Sequence, residues 1–187
     1  MPKRIDLASA AFAGFSILYP VIAIGAMRYL GVEAAIVIVI VLLATRLVLP
    51  ALRGVPVAMS LTLLPVLIGI AAVAAFDREL SIRLYPVFMN AAMLATFAAT
   101  LWKPPSMAER FARIVEPDLP ESGVRYTRNV TIVWMGFFAL NGAIALWSVL
   151  QPGWTAWLVY NGFLAYLAAG ILFASEYLVR QRVRHRP

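Results

Sequence analysis

Apolar runs of about 20 residues recur along this chain, and short segments carrying nearly all of its charge separate them. That alternation limits the fold more than any motif does. The run Ala34–Leu49, rich in Ile and Val, would suit a buried strand in a water-soluble protein. In lipid a lone strand leaves its backbone unpaired, whereas a helix satisfies every N–H and C=O within the segment. Composition agrees with lipid as the solvent. The 187 residues are 63% hydrophobic and 13% charged, with a mean hydropathy of +0.85. A soluble domain is about half apolar and about a quarter charged.

The expected fold is therefore an all-α integral membrane protein with six transmembrane helices and one short amphipathic cytoplasmic helix. The whole of residues 1–187 forms one membrane domain. The spans fall at about residues 7–27, 34–49, 55–76, 84–102, 130–150 and 154–179, with a cytoplasmic loop at 103–129. Pro20, Pro56 and Pro65 lie within spans, where they kink a helix or sit in its tolerated first turn. Asp77-Arg78-Glu79 and Pro152-Gly153 read as turns. Ala91, Ala95 and Ala99 repeat at every fourth residue, a smooth stripe that lets a second helix come close.

Charge sets the orientation. Lys103–Asn129 is the one long polar segment and holds five of the sixteen Lys and Arg residues. With the amino terminus inside, 13 basic residues fall on the cytoplasmic side and 3 outside. Six spans then place both termini in the cytoplasm. The net charge of +7 is spread over loops and chain ends, a topology signal that argues against a nucleic-acid partner. With no cysteine in the chain, disulfide and thiol chemistry are excluded.

Two constellations are candidates for function. The first is a polar layer of Asn90, Asn141 and Asn161, with Tyr160 beside Asn161 and with Arg83 and Tyr85 above it. Counted from the ends of their spans at 1.5 Å per residue, the three amides lie at similar depth in the outer half of the bilayer. An amide facing lipid is costly, so each should face the bundle interior. The layer either lines a cavity for a lipid or small substrate or joins helices, and joining is the expectation taken forward. The second constellation is cytoplasmic: Arg110, Arg113, Glu116, Asp118, Arg125 and Arg128, a candidate lipid or partner site. Ser106-Met107-Ala108-Glu109 has the form of a capping box opening a short helix to about residue 115. On it Met107, Phe111, Ile114 and Val115 share an apolar face, while Arg110 and Arg113 lie off that face. As a plain connector, the same charges would serve topology alone.

Nothing points to catalysis. The single histidine is His185 in the basic tail, and no His, Asp or Glu cluster has metal-ligand spacing. No hydroxyl has a base beside it, and no Gly-rich phosphate loop occurs. The expectation is a non-enzyme with no catalytic, cofactor or metal site.

Several short motifs carry a resemblance. They are Leu84-Tyr85-Pro86-Val87 with Asn90, Pro104-Pro105-Ser106 with Glu109 and Arg110, and Glu116-Pro117-Asp118-Leu119-Pro120. Further along come Val124-Arg125-Tyr126-Thr127-Arg128, Trp134, Phe137-Phe138, Asn141-Gly142-Ala143 and Tyr160-Asn161-Gly162. With them the chain resembles a family of small, mostly uncharacterised bacterial inner-membrane proteins, some encoded beside fatty-acyl or aryl-polyene synthesis enzymes. It is more distantly similar to the intracellular septation protein A family, through Tyr19-Pro20, a Lys-Pro loop, Leu119-Pro120 and the Trp134 to Asn141 stretch. The distinct Glu116-Pro117-Asp118 segment and the longer polar loop depart from that second pattern. The resemblance implies an inner-membrane protein that supports envelope biogenesis or septation through membrane and protein contacts. The alternative is a carrier or accessory for lipid-linked or acyl/polyene intermediates. Expected partners are the bilayer, anionic lipids, and envelope or lipid-synthesis proteins.

Overall fold

The computed structural model describes residues 64–184, together with Val37 and Val41, both helical. The expected spans at 7–27 and 34–49 lie outside the described residues apart from those two valines, as does the first part of the span at 55–76. So do the Tyr19-Pro20 motif and the end of the basic tail.

The described chain is helical throughout. Helix α1 is Leu64–Ala74, α2 is Arg78–Trp102, α3 is Met107–Val115 and α4 is Glu121–Leu150. A short α5, Thr155–Val159, runs through a π-helical turn, Tyr160–Leu164, into α6, Ala165–Arg184. Three stretches are long and apolar enough to cross a membrane: Arg78–Trp102, Glu121–Leu150 and Thr155–Gln181. Their large outward side chains, among them Ile132, Leu140, Phe163 and Ile171, are exposed. In water that face would be a liability, and in lipid it is the solvated surface.

Two helices begin earlier than hydropathy suggests. The span expected at 84 starts at Arg78, because the Asp77 carboxylate accepts from the Leu80 N–H at 2.9 Å and caps the first turn. Arg78 and Glu79 are therefore helical rather than part of a turn. The span expected at 130 starts at Glu121, behind Pro120. Acid in the first turn suits the helix dipole, and no breaker separates Glu121 from Val130. The segment 103–129 is thus two helices with short connections, not one loop. The edge of the apolar run marks lipid, and the backbone helix continues past it.

Among the described residues, two clusters form the core. Near the α4–α5 turn, Val66 and Ile70 of α1 pack with Ile82, Val149 and Trp157. Toward the α3 side, Phe97, Met107 and Trp134 pack with Phe137, Phe138 and Leu172. Phe97 and Phe138 meet edge-on at 5.1 Å, and Trp134 lies 4.4 Å from Phe173. Pairs of this kind contribute about 0.5–1.5 kcal/mol each beyond burial. α2 faces α4 through Asn90 and Phe97, both buried. The alanine stripe lies elsewhere: Ala91, Ala95 and Ala99 are exposed. The close approach between α2 and α4 comes instead from Gly142, where an added Cβ would stand 3.0 Å from the Asn90 Cβ.

Candidate functional site

The polar residues of α2, α4 and the Tyr160–Leu164 turn meet in two separate networks. In the first, Asn141 Nδ2 donates to Asn90 Oδ1 at 2.9 Å, and the Tyr160 hydroxyl donates to Asn141 Oδ1 at 2.7 Å. Asn90 Nδ2 in turn donates to the Pro86 carbonyl at 2.8 Å. Three helical segments are joined through one amide pair. Asn90 is buried, and Asn141 and Tyr160 are half-buried.

Asn161 belongs to the second network. Its Nδ2 donates to Ser148 Oγ and to the Trp157 carbonyl, both at 3.0 Å. Ser148 Oγ donates to the Ala145 carbonyl at 2.6 Å. The single layer expected from similar depth is therefore two networks, with Asn141 in one and Asn161 in the other. Adjacent residues leave a helix in directions about 100° apart, so Tyr160 turns to Asn141 while Asn161 turns to Ser148. Asn141 and Ser148 are two turns apart on one face of α4, about 10.5 Å along the axis. The long phenol of Tyr160 spans the difference that the short amide of Asn161 does not.

Arg83 sits above the second network. Its Nη2 donates to the carbonyls of Gln151 at 2.8 Å, Gly153 at 3.0 Å and Ser148 at 3.3 Å. These close the carboxy-terminal end of α4, where the last carbonyls lack helical partners and the dipole favours a cation. The guanidinium carbon stands 5.4 Å from the Trp154 ring centroid, a cation–π contact. Trp157, fully buried, donates its indole N–H to the Arg83 carbonyl at 2.8 Å. Arg83 Nε is buried with no partner among the described residues. Gly153 has φ +71°, the left-handed value that lets the turn close. Tyr85 is half-buried against the Ile82 and Trp157 cluster.

Pro86 interrupts the N–H ladder within α2. The carbonyls of Arg83 and Pro86 beside it take side-chain donors from Trp157 and Asn90. The ladder bond that proline itself removes is the one to the Ile82 carbonyl, one turn earlier.

The cytoplasmic constellation divides. Ser106 stands at the N-cap of α3 but makes no capping bond, and its hydroxyl is buried without a partner. Glu109 does not reach back to it. The capping box is therefore not formed. Two threonines from neighbouring helices do the capping: Thr100 Oγ1 accepts from Met107 N–H at 2.9 Å, and Thr131 Oγ1 from Ala108 N–H at 3.1 Å. Each hydroxyl donates onward to its own helix, to Phe97 O and Thr127 O at 2.7 and 2.9 Å. Glu109, buried, forms an ion pair with Arg113 at 2.8 Å, and Arg113 Nη1 also donates to Pro117 O. Arg110 Nε donates to Pro105 O at 2.9 Å and its Nη2 to Lys103 O at 3.4 Å. Arg125 and Arg128 are exposed on α4, Asp118 is exposed in the α3–α4 connection, and Glu116 is half-buried.

The apolar face expected on α3 splits. Met107 packs inward, while Phe111 and Ile114 stand out 52% and 72% exposed. Ala112 and Glu109 are the buried side of this helix. Sequence reasoning missed Thr100, Thr131, Ser148 and Trp157. Buried indole N–H groups need acceptors, which was a usable signal for Trp157, whereas isolated threonines and serines gave none.

No protein-family model, curated protein or solved structure matches this chain.

Proposed function

We propose that the chain is a non-enzymatic, six-span inner-membrane protein that supports envelope biogenesis or septation through membrane and protein contacts. Both termini and the 103–129 segment face the cytoplasm. One observation carries this reading: the amides of the polar layer bond within the bundle. Asn90, Asn141 and Tyr160 bond across three segments, Asn161 bonds to Ser148, and Arg83 closes the end of α4. Groups used in this way join helices and fix their register. The envelope role takes its support from the resemblance set out above.

A carrier for lipid-linked or acyl/polyene intermediates is the second reading. Arg83 Nε, buried without a partner, favours it, since an acidic headgroup could take that donor.

A deletion strain tests both. Scaffold loss predicts altered cell length or greater detergent sensitivity, restored by the chain, with no accumulating intermediate. An intact envelope with a build-up of a lipid-linked intermediate, identified by mass spectrometry of extracts, would instead establish the carrier.

A further inference from the structure

We propose that α3 is a lipid-inserted interfacial helix whose amino-terminal side binds the phosphate of an anionic phospholipid in the inner leaflet. The proposal deepens the membrane-contact reading above and rests on its orientation. Four observations carry it. α3 docks on the bundle through Met107, Glu109 and Ala112, all buried, and its first two N–H groups are held by Thr100 and Thr131. Two large apolar side chains of α3, Phe111 and Ile114, nevertheless point outward. Trp102, the last residue of the membrane-length helix α2, is 84% exposed beside the start of α3. A tryptophan there belongs at the headgroup level. Finally, charge is sorted along α3. Arg110 reaches back to Lys103 O and Pro105 O, which brings its guanidinium to the backbone of Lys103, a second exposed cation, at the amino-terminal end. The acid of that end, Glu109, is buried and paired with Arg113. The exposed acids Asp118 and Glu121 follow the helix.

An apolar flank beside a pair of cations matches one occupant, a phospholipid with its acyl chains along Phe111 and Ile114 and its phosphate at Lys103 and Arg110. Arg113, committed to Glu109 and Pro117 O, is not part of this site.

The chain has no cysteine, so Ile114→Cys and Asp118→Cys each accept a single nitroxide label. The full-length protein is placed in nanodiscs of phosphatidylcholine alone or with phosphatidylglycerol. The label at 114 should lie roughly 5–10 Å below the phosphates, with high oxygen and low aqueous-relaxant accessibility, and the label at 118 should be water-exposed. Water exposure of 114 equal to that of 118 overturns insertion and leaves α3 as a protein dock or connector. Phosphatidylglycerol retained by the purified protein should fall about fivefold for Arg110→Gln and again for Lys103→Gln. Arg110→Lys keeps the charge while losing the paired carbonyl contacts, and should retain the lipid. Unchanged retention in both Gln variants overturns the phosphate site. These readouts use purified protein, so an absent envelope phenotype would sink the cellular role without touching them.

Discussion

Asn141 donates to Asn90 at 2.9 Å across the α2–α4 interface, one residue before the glycine that lets the two helices come so near. An Asn90→Leu, Asn141→Leu double-mutant cycle in detergent should give a coupling of about 0.6–1.7 kcal/mol, the range for interhelical hydrogen bonds in membranes. Additive losses of melting temperature would mean that the pair does not join the helices.

Gly142 tests the same contact from the backbone side. The Asn90 Cβ, 3.0 Å from a Cβ added at Gly142, moves only with α2. Gly142→Ala should therefore force the helices apart at a cost of about 1–3 kcal/mol. Gly136→Ala on the same helix meets nothing within 4 Å and should be neutral or stabilising by up to about 1 kcal/mol. Thermal unfolding of the two variants in one detergent compares them directly.

Arg83 holds three carbonyls at the end of α4. Arg83→Gln removes the charge and most of that reach, and should cost about 2 kcal/mol, in the range for hydrogen bonds to charged groups. Hydrogen exchange of the α4–α5 turn should quicken more than exchange in α3. Uniform quickening would point to general loosening instead.

The amino end of α3 hangs on Thr100 and Thr131. Each Thr→Val substitution keeps shape and deletes an acceptor, leaving a helix N–H unpaired at about 1 kcal/mol. Exchange at Met107 in Thr100→Val, and at Ala108 in Thr131→Val, should rise about fivefold. Rates equal to the parent's would show that the hydroxyls are dispensable as caps.

How much of this was legible follows from what a linear count can see. Depth along a helix is arithmetic, and the turn at Pro152-Gly153 was a sound origin for it. Azimuth is not, and the π-helical turn at Tyr160–Leu164 gave no sign of itself in composition. Tyr160 and Asn161 therefore parted to different networks. The alanine stripe was read correctly as small and wrongly as the packing face, because Asn90 and Gly142 make the α2–α4 approach. The sequence reads Asp77-Arg78-Glu79 as a turn although Asp77 caps α2, and local capping rules misplace the α3 cap, since Thr100 and Thr131 come from other helices. Hydropathy marked the apolar runs and could not see α4 continuing back to Glu121, where polarity changes and the backbone does not.

The central claim is that the amides hold helices together and do no chemistry, and one variant set tests it most directly. Asn90→Leu, Asn141→Leu and Asn161→Leu are each measured for melting temperature in detergent and for rescue of the deletion strain per folded molecule. The account predicts a loss of around 1 kcal/mol in each, with rescue per folded molecule unchanged. Abolished rescue with an unchanged melting temperature would contradict it and make the layer the lining of a binding site.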